Sequence, residues 1–184
     1  MIYIEELTNT RHSQPSTMVA GISSKILQIR KENIKQSLSD INTIEHRQDF
    51  VAAIDGVMYY DDSRAENVNA TWFTFENIVR PVIWIAGGNS SDADFKDLKK
   101  VTKKKVKALI CVGSSNESLK KALNKDVKDI YEAKSIEEAV NMASLLAKEN
   151  DIVLFSPACR DQEMDYSKRG ETFAEEVNRI KNAN

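Results

Sequence analysis

Two short apolar runs constrain the fold of this 184-residue chain more than any other feature. Val82–Ala86 and Ile152–Phe155 are apolar at successive positions and do not alternate with polar residues. A strand with one side facing solvent alternates, whereas a strand covered by helices on both faces is apolar throughout. The two runs therefore predict a mostly parallel sheet with helices on both sides.

Around these runs, helix and strand patterns succeed one another in a βαβ rhythm. Ser135 and Glu138 form a capping box, which predicts a helix over 135–148. The other predicted helices are 66–78, 94–104, 116–123 and 169–181, and the other predicted strands are 81–86, 108–112, a short one near Ile130, and 152–155. The fold class is α/β and Rossmann-like.

An antiparallel hairpin is predicted at one edge of the sheet. The strand patterns at 50–54 and 57–60 flank Asp55-Gly56, a pair suited to the positive φ angles of a tight turn. Upstream, a helix is predicted from the regular apolar spacing of Met18, Ile22, Ile26 and Ile29. A second short helix is predicted at 34–41. We therefore place one domain boundary near residue 42, between a helical segment (1–42) and the sheet domain (43–184).

Composition narrows the class of protein. Apolar residues make up 41% of the chain and charged residues 29%, and the net charge is −2. These values are typical of a soluble globular protein and give no reason to expect a nucleic-acid partner. The lysine-rich stretch 96–107 is interpreted as the solvated face of a helix, with a phosphate-binding patch as the alternative.

The cysteines and the lengths of the apolar runs indicate the cellular compartment of the protein. Cys111 and Cys159 lack the spacing of metal ligands or of a disulfide framework, which favours a reducing environment. The sequence has no apolar run of 18 residues, and its first twenty residues do not have the pattern of a signal peptide. We expect a cytoplasmic protein without a membrane partner.

In sheets of this kind, ligands bind at the carboxyl ends of the strands. Here these ends are the loops that start at Gly87, Gly113 and Ser156, with the segment from Asp61 nearby. Residues 60–67 place the two adjacent carboxylates of Asp61 and Asp62, a guanidinium and several hydroxyl or amide groups beside a helix start. Such a site suits a sugar hydroxyl or an anion. The alternative is that one polar side chain simply caps the helix; the candidates are Asp62 and Ser63.

Several segments in order resemble one known family. They are His46-Arg47, Gly56-Val57, residues 61–71, Pro81 to Gly88 and Phe155 to Cys159, with Arg169-Gly170 and Phe173 beyond. This order and spacing resemble the Mur ligase pattern HR, GV, NDSKATN, AT, GG and SPAC, in the branch that adds D-glutamate. The resemblance covers about residues 43 to 175, which is the C-terminal domain of that family. Residues 1–42 resemble the end of the family's central ATPase domain.

The resemblance implies an ATP- and Mg²⁺-dependent enzyme of peptidoglycan synthesis. Such enzymes make an acyl phosphate on a UDP-muramoyl precursor, which the amine of an amino acid then attacks. The C-terminal domain closes over the nucleotide and supplies the amino-acid pocket.

Three residues carry the nucleotide roles that the resemblance implies. Arg47 would contact the γ-phosphate, for which a permanently charged planar guanidinium is suited, with a surface arginine on an edge strand as the alternative. Asp62 would accept hydrogen bonds from the ribose hydroxyls. His12 matches a histidine that helps to hold the nucleotide, although the neighbouring asparagines of the pattern are absent, and a polar surface residue is the alternative.

The amino-acid side of the site departs from the family pattern. Arg64 replaces a lysine, Glu66 replaces a threonine that would meet the glutamate substrate, and Ser91 stands where a lysine would pair with its carboxylate. The loop after Cys159 is shorter than in the family. In it, Arg160 is either a replacement cation or an exposed arginine. Cys159 itself is interpreted as a packed small hydrophobe and not as a nucleophile.

The 184 residues contain no G-x-x-x-x-G-K-[ST] motif to hold ATP phosphates. We therefore assign no catalytic residue and expect neither ATP nor Mg²⁺ to bind tightly to this chain alone. Two hypotheses remain. The chain is the C-terminal portion of a D-glutamate-adding ligase that works with the remaining domains, or it is an inactive binding module with a degenerate glutamate pocket and an unknown protein partner.

Overall fold

The computed structural model describes residues 46–88, 94–113 and 116–183. Within these ranges, six strands form one sheet in the order β1-β2-β6-β3-β4-β5. The strands are β1 Asp49–Ile54, β2 Val57–Asp61, β3 Val82–Ala86, β4 Val106–Val112, β5 Asp129–Ala133 and β6 Ile152–Phe155. β1 is antiparallel to β2, and the other neighbouring pairs are parallel. The predicted α/β fold with an antiparallel edge hairpin is confirmed.

Helices cover both faces of this sheet, as the apolar strands predicted. They are α1 Val68–Asn77, a 3-10 turn Phe95–Leu98, α2 Lys99–Lys105, α3 Glu117–Leu123, α4 Ile136–Leu146 and α5 Tyr166–Ala183. α4 and α5 pack on the face formed by residues such as Ile85, Val153 and Phe155. The other helices pack on the face that contains Trp84 and Leu154. Successive residues of β3 and β6 therefore enter different cores, which explains why these strands do not alternate.

The turn between β1 and β2 and the start of α4 lie where the sequence predicted them. Asp55 and Gly56 have φ angles of 49° and 77°, as a hairpin turn requires. Ser135 caps α4 through its hydroxyl, which accepts a hydrogen bond from Glu138 N at 3.2 Å. The carboxylate of Glu138 accepts from Lys134 N at 2.7 Å, one residue before the position that a standard capping box uses.

Other element ends differ from the prediction because side-chain caps move them. Asn67 caps α1, accepting from Ala70 N at 2.9 Å, so this helix begins at Val68 and neither Asp62 nor Ser63 is its cap. The predicted helix 94–104 begins as a 3-10 turn, in which Phe95 and Leu98 both face the core at the three-residue spacing of that helix. α5 begins at Tyr166, three residues early.

The lysines of the stretch 96–107 are largely solvent-exposed, as expected of a helix surface. Three of them have specific contacts, of which the first is the pair of Lys96 with Asp94 at 3.1 Å. Lys105 donates to the carbonyl oxygens of Phe75 and Glu76, and Lys107 pairs with Asp151 at 2.7 Å. No helix in the described ranges has the length and hydropathy needed to cross a membrane. The helices predicted at the start of the chain and the boundary near residue 42 lie outside the described residues.

Candidate functional site

The carboxyl end of β2 meets that of β6, and a buried carboxylate lies between them. Asp62 has 0% of its surface exposed. Its Oδ2 accepts hydrogen bonds from Thr74 Oγ1 at 2.7 Å and from Ser156 Oγ at 2.8 Å, and its backbone N–H donates to Phe155 O at 2.8 Å. Thr71 lies 2.8 Å from the Ser156 hydroxyl and extends this network to α1. The end of β2, helix α1 and the end of β6 therefore fix the carboxylate in position.

The second oxygen of Asp62 is less well satisfied. Oδ1 is buried and has no hydrogen-bond partner, and the guanidinium of Arg47 lies 3.7 Å from it, beyond normal hydrogen-bond distance. Burial raises the pKa of Asp62 to about 6, although the Thr74 hydrogen bond, the Arg47 charge and the Ser156 hydrogen bond all act to lower it. The ribose role of Asp62 stays a prediction, and it requires Oδ1 to become accessible.

The side chains of two adjacent residues, His46 and Arg47, face those of two adjacent acids, Asp61 and Asp62. His46 Nδ1 lies 2.6 Å from Asp61 Oδ2, beside the Arg47–Asp62 pair. His46 and Gln48 have φ angles of 61° and 56°, so Arg47 is held between two residues in the left-handed region. That conformation is uncommon for residues other than glycine and persists only where surrounding contacts impose it.

Arg64, which replaces the family lysine, points away from this network. It is exposed, its guanidinium carbon lies 4.8 Å from the centre of the Tyr166 ring, and NH1 donates to the Tyr166 hydroxyl at 3.3 Å. Tyr166 also packs edge-on against His46, with 6.2 Å between ring centres. The aromatic ring therefore links Arg64 to the His46–Asp61 pair.

Glu66 is neutralised by arginines that the sequence reasoning did not connect with it. Arg169 NH2 donates to Glu66 Oε1 at 3.0 Å, and Arg160 Nε lies 3.8 Å from Oε2. The side chain of Arg169 is 3% exposed, whereas that of Arg160 is 83% exposed. The interpretation of Arg160 as an exposed loop arginine thus matches its surroundings. Arg169 was missed as a site residue, although its Arg-Gly motif carried part of the resemblance.

A cavity of about 210 Å³ lies over the carboxyl ends of β3, β4, β5 and β6, where ligand-binding loops were predicted. Gly87, Gly88 and Gly113 form its floor, with φ angles of 124°, 151° and 94°. A Cβ on Gly88 would lie 3.0 Å from the Arg160 carbonyl oxygen, so this close approach of chains depends on glycine.

The cysteines contribute no nucleophile to this site. Cys111 and Cys159 are both buried. Burial raises the pKa of Cys159 to about 11 and that of Cys111 to about 12. A protonated buried thiol is inert, which agrees with a packing role. Among the described residues, no cluster of His, Cys, Asp and Glu has the arrangement of a metal site. Two predicted site residues, His12 and Ser91, lie outside the described ranges.

The sheet with helices on both faces and polar groups at its strand ends defines an α/β domain of the class in which ligands bind at the carboxyl ends of the strands. A family model for the "Mur ligase, glutamate ligase domain" matches residues 46–159, more than half of the chain. The chain belongs to this family. The predicted resemblance is therefore confirmed.

Curated relatives extend the match. The UDP-N-acetylmuramoylalanine--D-glutamate ligase of Christiangramia forsetii is 37% identical over 172 residues, which cover 92% of this chain and 39% of the relative. That of Salinibacter ruber is 35% identical over 165 residues, covering 89% of this chain and 36% of the relative. The chain thus spans less than half the length of these relatives.

A solved structure agrees in fold. The crystal structure of MurF ligase from Thermotoga maritima in complex with ADP has a TM-score of 0.51 at 16% identity, and the match covers 74% of this chain and 32% of that one. At this identity the likeness supports the fold alone.

Proposed function

We propose that this chain is the C-terminal portion of an ATP-dependent ligase of the UDP-N-acetylmuramoyl-L-alanine:D-glutamate class, acting in the cytoplasm in peptidoglycan precursor synthesis. The curated relatives carry that name at 35% and 37% identity. We further propose the division into residues 1–42, the end of a central ATPase domain, and 43–184, the C-terminal domain. Its partners are then the remaining domains of the ligase.

The observation that carries this proposal is the contact between Arg47 and Asp62. Among the described residues, the Arg47 guanidinium makes an ion pair at 3.7 Å but no hydrogen bond. The Arg47 side chain is 12% exposed, and a planar guanidinium is a group that binds phosphate oxygens well. In the proposed role, Arg47 contacts the γ-phosphate of ATP, and Asp62 Oδ1, the carboxylate oxygen without a hydrogen bond, meets the ribose.

Cofactor binding in this proposal depends on the nucleotide. The MurF ligase structure of similar fold is a complex with ADP, and ATP is the nucleotide of the ligase class proposed for this chain. The described residues do not provide a metal site of their own, so Mg²⁺ would be held mainly by nucleotide phosphates and by other domains. We expect weak ATP binding to this chain alone because phosphate contacts from a P-loop are missing.

The alternative is an inactive binding module, and one observation favours it. In this chain Glu66 takes the place of a family threonine and engages Arg169 at 3.0 Å. This ion pair uses a cation that lies beside the cavity, so Arg169 is already paired with a carboxylate of this chain. The nucleotide side of the domain is unaffected by this change.

A chimeric enzyme distinguishes an active ligase domain from an inactive binding module. Residues 46–183 replace the matching portion of the Christiangramia forsetii relative, and ATP-dependent ligation is followed with UDP-N-acetylmuramoyl-L-alanine and D-glutamate as substrates. We expect measurable ligation, lowered by Arg47→Ala on the order of 100-fold or more, as when a group that stabilises phosphoryl transfer is lost.

The matched control is Lys104→Ala, an exposed cation two residues before the amino end of β4, which should leave the rate unchanged. A folded chimera that binds ATP but forms no product with any amino acid would favour the inactive module. A chimera whose rate is the same with Arg47 or alanine would remove the phosphate role of that arginine.

A further inference from the structure

Another cavity lies at the amino ends of the strands, away from the edge that carries Arg47 and Asp62. It has a volume of about 330 Å³. Its described lining comes from the β1–β2 hairpin, from the end of α4 and the residues after it, and from Ile180 of α5. The hairpin turn precedes β2 and Glu149 precedes β6, which places both at the amino ends of these parallel strands. The volume is within the roughly 300–1,000 Å³ of clefts that hold small-molecule ligands.

A buried tyrosine lines this cavity. Tyr59 is 2% exposed, yet its hydroxyl has no hydrogen-bond partner among the described residues. Burial and, less strongly, the charge of Asp55 raise the pKa of this phenol, so the hydroxyl stays protonated at neutral pH. Buried hydroxyl groups in proteins normally have a partner. A polar group of a molecule bound in the cavity would supply one.

The cavity lining also carries two carboxylates, those of Asp55 and Glu149. The Glu149 side chain lies over the hairpin turn, where a Cβ on Gly56 would be 2.6 Å from its Cγ. The described part of the lining contains no lysine or arginine, and the nearby Lys148 and Lys181 are exposed. Both acids are exposed as well, so solvent weakens their effect on a ligand. The charge of the lining is nevertheless negative.

The polar groups of the lining match the donors of an ammonium group. An alkylammonium has three N–H donors and no acceptor. The Tyr59 oxygen and the two carboxylates are acceptors. The Ser144 hydroxyl already donates to the Asn141 carbonyl oxygen at 2.8 Å, so toward the cavity it too acts as an acceptor.

The rest of the lining is apolar and suits an aliphatic chain. It consists of Ile54, Val57, Leu145, Ala147 and Ile180. Leu145 is 87% exposed although it lines the cavity, so a ligand that covered it would remove apolar surface from water. The lining therefore combines acceptors and negative charge with an apolar surface.

We propose that this cavity binds a small aliphatic amine in its ammonium form, with the ammonium group at the Tyr59 hydroxyl and the two carboxylates and the chain along the apolar lining. The site is at the opposite end of the sheet from Arg47 and Asp62. The inference therefore goes beyond the proposed function and does not depend on it.

The test is a titration of the ¹⁵N-labelled 184-residue chain at pH 7, followed by two-dimensional NMR, which detects millimolar binding. Hexylamine, 1-hexanol and hexanoate are the probes, because they share one chain length and differ in charge. We expect hexylamine to shift the amide signals of Val57, Tyr59, Ser144 and Leu145. It should bind about fivefold to tenfold more tightly than 1-hexanol, and hexanoate should bind most weakly, as two exposed carboxylates predict.

Tyr59→Phe tests the hydroxyl. The ring is kept, and no described hydrogen bond is lost, so this variant should retain the fold and give a similar spectrum. We expect hexylamine to bind to it about threefold to tenfold more weakly, the effect of one lost hydrogen bond. The matched control is Tyr131→Phe, a partly buried tyrosine on β5 at the other edge of the sheet, which should leave the affinity unchanged.

A double substitution tests the charge. Asp55→Asn with Glu149→Gln should bring the affinities for hexylamine and 1-hexanol to within about twofold of each other, and asparagine tolerates the positive φ angle of the turn. The matched control is Asp97→Asn with Asp129→Asn, which removes two exposed carboxylates elsewhere and should keep the preference for the amine.

Three results would overturn the inference. The first is 1-hexanol binding as tightly as hexylamine to the unmodified chain. The second is equal affinity for hexylamine in Tyr59→Phe and Tyr131→Phe. The third is an absence of shifts at the cavity with hexylamine, including the case in which the shifts appear at Gly87 and Gly88 instead. The Arg47→Ala comparison in the chimera reads the proposed ligase function separately.

Discussion

His46 and Asp61 are joined at 2.6 Å between Nδ1 and Oδ2, although fifteen residues separate them. The pair holds the segment before β1 against the end of β2, and Arg64 N–H donates to the His46 carbonyl oxygen at 3.1 Å. The next residue along each segment then forms the Arg47–Asp62 contact. The position of Arg47 at the strand ends therefore depends on a neighbouring pair that need not touch a ligand.

Because Gly170 of α5 has no side chain, it leaves room for the His46–Asp61 pair. A Cβ there would contact His46 Nδ1 and Asp61 Oδ2 and would lie 2.6 Å from Ser63 Oγ. We expect Gly170→Ala to destabilise the chain by about 1–3 kcal/mol, because overpacking outweighs the gain in helix propensity of about 1 kcal/mol. Urea unfolding measures the change. Asn178→Ala, on the exposed side of the same helix, is the control, and equal stability of both variants would contradict the packing argument.

The buried carboxylate of Asp62 makes stability depend on pH in a defined direction. Its folded-state pKa is raised from 3.8 to about 6, so the folded chain binds this proton more tightly than the unfolded chain. The stability that protonated Asp62 contributes to the folded chain is fully present below a pH of about 4 and is lost as the pH rises through about 6. The free energy of unfolding of Asp62→Asn, taken relative to that of wild type, should therefore be higher at pH 7 than at pH 4 by about 1–3 kcal/mol.

Urea unfolding of both proteins at the two pH values gives this difference directly. Taking the difference between variant and wild type removes the titration of the other acids. Asp97→Asn, at an exposed position, is the control and should show no such change between pH 4 and pH 7. A difference of opposite sign for Asp62→Asn would mean that the carboxylate is stabilised in its charged form.

Local patterns predicted the fold well because they report burial. The apolar runs of β3 and β6 specify strands covered on both faces, and Asp55-Gly56 specifies the hairpin turn. The ends of α1 and α5 were misplaced, because Asn67 and Asp165 act as caps through single hydrogen bonds. A cap competes with several nearby polar residues, and sequence alone does not decide between them.

The candidate site was predicted in its positions but not in its contacts. The resemblance selected Arg47, Asp62 and Glu66, since these lie in matched motifs. It gave no indication that Glu66 pairs with Arg169, 103 residues away. Such a pair depends on how α5 returns to the end of β2, which is a tertiary property. The negative charge of Glu66, which stands where the family pattern has a threonine, is therefore compensated within the chain by Arg169.

Removal of the Glu66 carboxylate should destabilise the chain more than removal of its exposed partner. Glu66→Gln leaves the 3% exposed Arg169 without its counter-charge, and a buried unpaired charge is strongly unfavourable. We expect a loss of about 1–3 kcal/mol in the free energy of unfolding, moderated because Glu66 is itself 23% exposed. Arg160→Ala, which removes only the 3.8 Å contact, should cost about 0.5 kcal/mol or less. Equal effects would show that Arg169 is stabilised by other groups.

The two tryptophans allow the strand-end network to be tested with a matched pair. Trp84 is fully buried, and its Nε1–H donates to the Ser156 carbonyl oxygen at 2.7 Å. The hydroxyl of the same serine donates to Asp62, so Trp84 supports the residue that holds the carboxylate. Phenylalanine keeps most of the apolar packing but leaves this buried carbonyl without its donor, which costs about 1–3 kcal/mol.

We therefore expect Trp84→Phe to lower the free energy of unfolding by that amount, and Trp72→Phe, at a partly exposed position on α1, to change it by about 0.5 kcal/mol or less. Urea unfolding of both variants measures the difference, and each variant retains one tryptophan as a fluorescent probe. If Trp84→Phe proved as mild as Trp72→Phe, the Ser156 carbonyl would have another donor, and Trp84 would contribute only its apolar surface to the core between β6 and α1.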